Sequence, residues 1–366
     1  MDKTQAQNVL QDAGYEVHSI ELSQSDVGHV KYLVSLSGRQ FDQPHTFNAS
    51  FQSGLEQKWG AKTVESLFGG EISMQREAAI YQFAREELGL PAPVVRLEQG
   101  EKPFLLEEVL KGKTLQEYVA ALPEEQRESA YLNAVLKVGA LFAKAHGYKN
   151  LTAYGDMFGN DNRDRALYQD RLHDIVTHNL AWNGHEKTFS HEELEKVRDY
   201  LQKSLQALER VGDTLPEPIL VLANLHRGNV NLDENVGIVG VSQFNFAQAG
   251  VPAAEMYNAF WQFANPAFAP TAKVHVTLLG GYHLTGGNFD PTDEATQQVM
   301  NILNVNHFLR AATIYSTMRD RQDPSKPDLM RNRWGKRFKE EILFPLIDEG
   351  KVDYDSFSRI INEKWK

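Results

Sequence analysis

The chain of 366 residues contains no cysteine. Disulfides, thiolate nucleophiles and cysteine-ligated metals are excluded, and nothing calls for an oxidising compartment. No stretch approaches the roughly 18–20 apolar residues of a membrane span. The opening Met1-Asp2-Lys3-Thr4-Gln5 lacks the basic-then-apolar pattern of a secretory leader, so the expected location is the cytoplasm. Positive charge is scarce: 38 Lys and Arg face 49 Asp and Glu, a formal net charge of −11. That balance disfavours nucleic acid and anionic membrane surfaces, which select basic patches, and suits a cationic or neutral small molecule. It does not speak to oligomeric state. No solenoid-period repeat and no low-complexity block is visible. What is present, 42% hydrophobic and 24% charged residues, is the composition of a globular protein with a sizeable core.

The pattern along the chain changes once. Residues 5–13 read as a short polar helix closed by Gly14. Val17–Leu22, Val30–Leu36 and Phe47–Phe51 carry alternating or β-branched apolar residues between Ser-Asp, Ser-Gly and Asp-Gln-Pro breaks, which predicts an antiparallel meander. Ser73–Leu88 has helical spacing and ends at Gly89, Pro91 and Pro93. Two further strands are expected at Val94–Leu97 and Phe104–Leu106. Beyond Glu108–Gly112 the pattern becomes helical, over 115–122, 130–146, 192–210, 294–319 and 333–346. A β-rich part with one main helix thus precedes a larger helical part, which predicts an α+β protein of two lobes.

The helical part is interrupted at Pro218–Val241. Apolar Pro218–Leu222 leads into Leu222-Ala223-Asn224-Leu225-His226-Arg227-Gly228-Asn229, then Val230–Leu232, a polar Asp233-Glu234-Asn235 corner, Ile238–Val241 and Gln243-Phe244. This reads as strand, loop and hairpin. Two positions five apart in such a loop, with a third beyond the hairpin, are how kinase-type enzymes gather a base and two metal ligands.

Four blocks, in this order, resemble the aminoglycoside phosphotransferase and choline kinase superfamily. Gln75–Ile80 is similar to the helix whose glutamate, here Glu77, pairs with a nucleotide-binding lysine. Phe104–Leu115 is similar to the hinge strand and linker. Leu141–His146 is similar to the helix end before the larger lobe's insertion. Leu222–Glu255 is similar to the catalytic loop, hairpin, metal loop and following helix. The resemblance implies a protein-kinase-like fold, with an N-terminal lobe over 1–108 and a C-terminal lobe over 109–366. It implies ATP or GTP with Mg²⁺ as cofactors, a nucleotide cleft near Glu107–Leu110, and adenine contacts from the backbone of Glu108 and Leu110.

The departures from the family pattern concern charge. Asn224 stands where active members place the aspartate that accepts the substrate hydroxyl's proton, and a neutral amide cannot act as that base. Asn229 agrees with a metal-binding asparagine. Gln243 replaces the metal-binding aspartate, so Asn229 and Gln243 offer a metal only amide oxygens, whereas magnesium usually takes one or two carboxylates. Aligning Thr46–Phe51 to the strand of the nucleotide lysine puts Ala49 or a neighbour in that lysine's place. Lys58 and Lys62 follow within a dozen residues, outside that strand, and no G-x-G-x-x-G cradle accompanies the isolated Gly28.

Several of these residues also have ordinary readings. Asn224 and Asn229 suit tight turns, Gln243 a satisfied buried amide, and Asp156, Asp161 and Asp164 solvated loop charges. Glu77, without its lysine, reads as a solvated helix charge, and Glu107 faces either the cleft or solvent. Trp261, Phe260, Phe263, Tyr257 and Phe268 read as core, and Glu255 as a residue that orients the catalytic loop. The expectation is a kinase-like protein, impaired in catalysis, that binds a metabolite or nucleotide. The alternatives are an active phosphotransferase with relocated base and metal ligands, or an interaction module on the same fold.

Overall fold

A computed structural model describes the chain apart from residues 26–28, 40, 53–73, 101, 149, 152–153, 156–167, 187–188, 212–214, 243–246, 318–334, 351 and 365–366. Lys58, Lys62, Asp156, Asp161, Asp164, Gly28 and Gln243 lie outside the described residues. The rest falls into two compact units, one drawn mainly from Met1–Ala121 and Arg227–Ala247, the other from Leu122–Met157, Asp161–His226 and Gln248–Lys366.

The first unit begins with helix α1 (Lys3–Asp12), started by a capping box in which Asp2 and Gln5 exchange side-chain-to-backbone hydrogen bonds. Gly14, at φ +88°, turns the chain out of it. Strands β1 (Glu16–Ser25), β2 (His29–Gly38) and β3 (Phe41–Gln52) follow, then α2 (Met74–Glu86), β4 (Val95–Glu98) and β5 (Phe104–Glu108). They form an antiparallel sheet in the order β1-β2-β3-β5-β4. The expected break at Asp42-Gln43-Pro44 is instead strand. The β2–β3 register shifts between Leu36 and Gly38, opposite this segment, so Pro44 sits at an irregularity where a missing N–H costs no regular ladder bond.

Alternation then assigns the faces. Val30, Tyr32, Val34, Ala49, Phe51, Phe104 and Leu106 pack with Ala6, Val9 and Leu10 of α1 in one apolar core. The intervening residues, Lys31, Asn48, Ser50 and Glu107 among them, therefore belong to the opposite face. A smaller sheet, β6 (Lys113–Thr114) with β8 (Val230–Leu232) and β9 (Ile238–Val241), completes the unit, with α3 (Leu115–Ala120) starting at a Thr114–Glu117 capping box. This pairing explains why the hairpin belongs to the first unit although it follows the loop at 222–226. Gly112, at φ +80°, permits the approach: a Cβ there would lie 2.2 Å from the Leu232 carbonyl oxygen.

The second unit is mainly helical: α4 (Glu124–His146), α5 (Tyr168–Glu186), α6 (His191–Val211), α7 (Pro252–Phe263), α8 (Thr271–Leu284), α9 (Glu294–Thr317), a π-helical stretch at Phe338–Leu343 running into α10 (Phe344–Glu349), and α11 (Tyr354–Lys364). Strands β7 (Ile219–Val221) and β10 (Gln248–Gly250) pair antiparallel. Trp261 and Phe263 are fully buried and Phe260 nearly so; the Trp261 indole donates to Asn304 Oδ1 at 2.6 Å. These aromatics are core.

Helices α4 and α8 cross closely because glycines face each other's backbone. A Cβ on Gly281 would lie 1.9 Å from the Leu136 carbonyl oxygen, and one on Gly139 would lie 2.1 Å from that of Leu278, whereas Gly280 has nothing within 4 Å. Gly281→Ala is expected to cost at least about 1–3 kcal/mol through overpacking, and Gly280→Ala to be neutral or to gain up to about 1 kcal/mol. Urea midpoints of the two variants check this; equal midpoints would refute the close crossing.

Candidate functional site

In the first unit, Lys31 stands on β2 directly opposite Ser50 of β3, which in turn faces Leu105 of β5. Two residues along β5, Glu107 shares their face. Its carboxylate reaches the Lys31 ammonium at 3.1 Å, and Glu77 of α2 approaches the same nitrogen at 3.7 Å. Tyr81, one turn beyond Glu77, hydrogen-bonds Glu107. All are buried: Lys31 is 6% exposed, Glu77 2% and Glu107 4%. Ser50 Oγ, fully buried, has no hydrogen-bond partner among the described residues.

Glu77 is therefore not the solvated helix charge its ordinary reading describes, and Glu107 does not point to solvent. The lysine that pairs with Glu77 stands on β2, not on β3. Its sequence signal was a single charged residue inside the apolar run Val30-Lys31-Tyr32-Leu33-Val34. Ala49, by contrast, is fully buried on the α1 side of the sheet, in a strand paired on both edges.

The charges in this cluster perturb one another. Burial opposes the charge of Lys31, but Glu107 foremost, with Tyr81 and Glu77, outweighs it and holds the ammonium well above the ordinary lysine range. Burial pushes the Glu107 carboxyl above the ordinary carboxylate range; Lys31 opposes this and Glu77 reinforces it. At the end of β5, the Glu108 N–H donates to the Val94 carbonyl at 2.9 Å. Leu110 is half-buried and packs toward Gly240, where a Cβ would meet its Cδ1 at 2.9 Å.

The loop after β7 is built in the second unit. The Asn224 N–H donates to the Leu222 carbonyl at 2.9 Å, and Ala223 between them has φ +64°. That combination is a γ-turn of the rare, strained kind. Buried Glu255, on the first turn of α7, holds it by accepting the N–H groups of Leu222 at 2.5 Å and Ala223 at 3.2 Å. Asn258, one turn along, donates to the Ala223 carbonyl at 3.0 Å.

His146, the last residue of α4, places Nε2 3.7 Å from Glu255 and Nδ1 2.7 Å from the Tyr282 hydroxyl. A proton on Nε2 fits both contacts, with Tyr282 O–H donating to Nδ1. Burial, then the charge of Glu255, raises the Tyr282 hydroxyl pKa, so it remains a donor. Sequence order pointed to Glu255 but not to His146 and Tyr282, which join it only in three dimensions. Asn224 is half-buried within this clamp.

Asn229 lies in the first unit, buried just before β8, and its carbonyl accepts the Ser242 N–H at 3.0 Å. Its amide suits one metal position. The partner position holds Gln243 by sequence, and among the described residues no three His, Asp or Glu side chains gather to hold a metal ion. These donors do not fit magnesium, which takes one or two carboxylates.

The sheet order, the helix packed on its polar face and the clamped loop before a β-hairpin define a kinase-like fold. The chain belongs to the phosphotransferase enzyme family, whose model matches residues 67–290. Among solved structures it is similar to ADP-bound aminoglycoside phosphotransferase APH(2'')-Ib (12% identity, TM-score 0.54, covering 98% of this chain and 99% of that one). It is also similar to APH(2'')-IIa in complex with gentamicin (13%, 0.55, 98% and 98%) and to an ethanolamine kinase of Plasmodium vivax (11%, 0.54, 95% and 86%). At these identities the likeness is one of fold. No curated protein matches the chain at a significant level.

Two measurements test the site's construction. Glu255→Gln leaves a backbone donor facing an amide NH₂ and is expected to cost about 1–3 kcal/mol, with faster hydrogen exchange at Leu222 and Ala223; unchanged exchange would remove Glu255 as the clamp. For Glu107, the raised folded-state pKa means that the folded state holds this proton more tightly than the unfolded state. Its contribution to stability is therefore present at low pH and declines as pH rises from about 4.3, the ordinary glutamate value, through the raised one. The stability of the wild type relative to Glu107→Gln, measured by urea unfolding across that window, is expected to fall with rising pH. A constant difference would contradict the shift.

Proposed function

We propose that this protein is a kinase-fold member of its family that binds a nucleotide or related metabolite without transferring a phosphoryl group. One observation carries the reading: Asn224 occupies the clamped turn in which a proton-accepting carboxylate would do chemistry. The turn keeps its strained backbone and its Glu255 support, so what is missing is the charge. Loss of a general base typically costs about 10²–10⁴ in rate. With Gln243 in sequence at the metal position, electrostatic stabilisation of the transferring group, usually the largest contribution, is weakened as well. The bound ligand would rest on the hinge backbone at Glu108 and Leu110 and on Lys31. ATP and GTP are the candidates, held weakly and with little dependence on metal.

Lys31 favours a second reading. A cation found on β2 in place of β3 is a relocated functional group, and an active enzyme with a relocated base and metal ligands would follow the same pattern.

Thermal shift and nucleotide turnover separate the two. For the wild type, small shifts with ATP or GTP that Mg²⁺ or Mn²⁺ does not enhance, and no turnover, are expected; Asn224→Asp combined with Gln243→Asp is expected to make the shift metal-dependent. Metal-dependent turnover by the wild type would overturn the proposal.

A further inference from the structure

Lys31 meets two carboxylates where one would neutralise it. Glu77 reaches it from α2 at 3.7 Å, an ion-pair distance, and Glu107 reaches it from β5 at 3.1 Å, within hydrogen-bond range. With both glutamates ionised, the buried group carries a formal charge of −1. Such a cluster repels any ligand oxygen that brings more negative charge. Yet it keeps the components of an oxyanion site: an ammonium, and beside it the Ser50 hydroxyl, buried with no hydrogen-bond partner among the described residues. A carboxylate oxygen at hydrogen-bond distance from the ammonium occupies the position that a phosphate oxygen of a ligand would take.

We propose that Glu107 is an internal competitor for phosphate: its carboxylate holds Lys31 when no ligand is bound, and it sets the affinity of the first unit for nucleoside di- and triphosphates. Glu77 anchors the lysine. Glu107 blocks it, and a phosphate gains Lys31 and the Ser50 hydroxyl only when Glu107 withdraws. The inference rests on the nucleotide-binding reading above and supplies the residue that makes such binding weak.

The test is calorimetric titration of ADP, ATP and inorganic triphosphate into the full-length wild type and the variants Glu107→Gln, Glu107→Leu, Glu77→Gln and Lys31→Met/Glu107→Gln, with melting curves to confirm folding. Glu107→Gln, nearly isosteric, is expected to tighten all three ligands by about tenfold or more, in line with removal of a like charge from the binding position. Glu107→Leu is expected to do the same if it folds, Glu77→Gln to give no gain, and the double variant to lose the gain. Adenosine, which has no phosphate, should bind equally to the wild type and Glu107→Gln. A folded Glu107→Gln protein with unchanged or weaker ADP affinity overturns the proposal, as does a gain that survives loss of Lys31. Binding by Glu107→Gln alone, with none by the wild type, supports it, and absence of binding by both overturns it. Turnover by the wild type would refute the non-catalytic reading but leave the comparison between Glu107→Gln and wild type intact.

Discussion

The loop at the centre of this protein depends on one buried carboxylate. Glu255 binds two consecutive backbone N–H groups, of Leu222 and Ala223, and so stabilises a turn that an alanine at φ +64° would otherwise resist. Backbone strain of this kind, about 1–3 kcal/mol at a residue, persists only where its surroundings over-determine it. Here they do: His146 and Tyr282 support Glu255 from behind, and Asn258 takes the Ala223 carbonyl. None of these contacts uses the side chain at position 224. The backbone of the turn is thus held from α7, through Glu255 and Asn258.

The first unit solves a related problem with opposite signs. A lysine that is 6% exposed cannot remain charged unless acidic groups face it, and Glu107 and Glu77 do so. The same arrangement binds β2, β5 and α2 together through side chains, across the polar face of a sheet whose other face is an ordinary apolar core. Removing the ammonium would leave two buried carboxylates close together. That consequence makes Lys31 structural whatever else it contacts, and it explains why tests of its role must compare Glu107 with Glu77 and not rely on loss of the lysine alone.

The meander, α2, the hinge strand and the hairpin were legible because each rests on local periodicity and punctuation: alternation in Val30–Leu36, glycine and proline after Leu88, the polar corner at Asp233–Asn235. Pro44 misled for a local reason too, since its lost hydrogen bond falls at a register shift visible only once β2 and β3 are paired. The loop around Asn224, between a short strand and a hairpin, was legible from the apolar run Pro218–Leu222 and the polar corner after Leu232. Lys31, His146 and Tyr282 were not. Lys31 meets Glu107 across a sheet, over 76 residues of sequence, and His146 meets Tyr282 over 136. Pairings of that range leave no periodic trace, and a family pattern that places a lysine on β3 directs attention away from β2.

These two clusters divide the protein's carboxylates by role. Glu77 and Glu255 hold other groups in place, the Lys31 ammonium in one case and two backbone N–H groups in the other. At Asn224 the chain carries an amide, and the backbone of the turn beside it is held by Glu255 and Asn258. Loss of the Glu255 carboxylate would release two backbone N–H groups of the turn at once. Glu107 shares the task of Glu77: it is the nearer of two carboxylates on Lys31, at 3.1 Å against 3.7 Å for Glu77. A second buried carboxylate raises the electrostatic cost of the folded state. In the competition proposed above, its charge stands where a phosphate would bind.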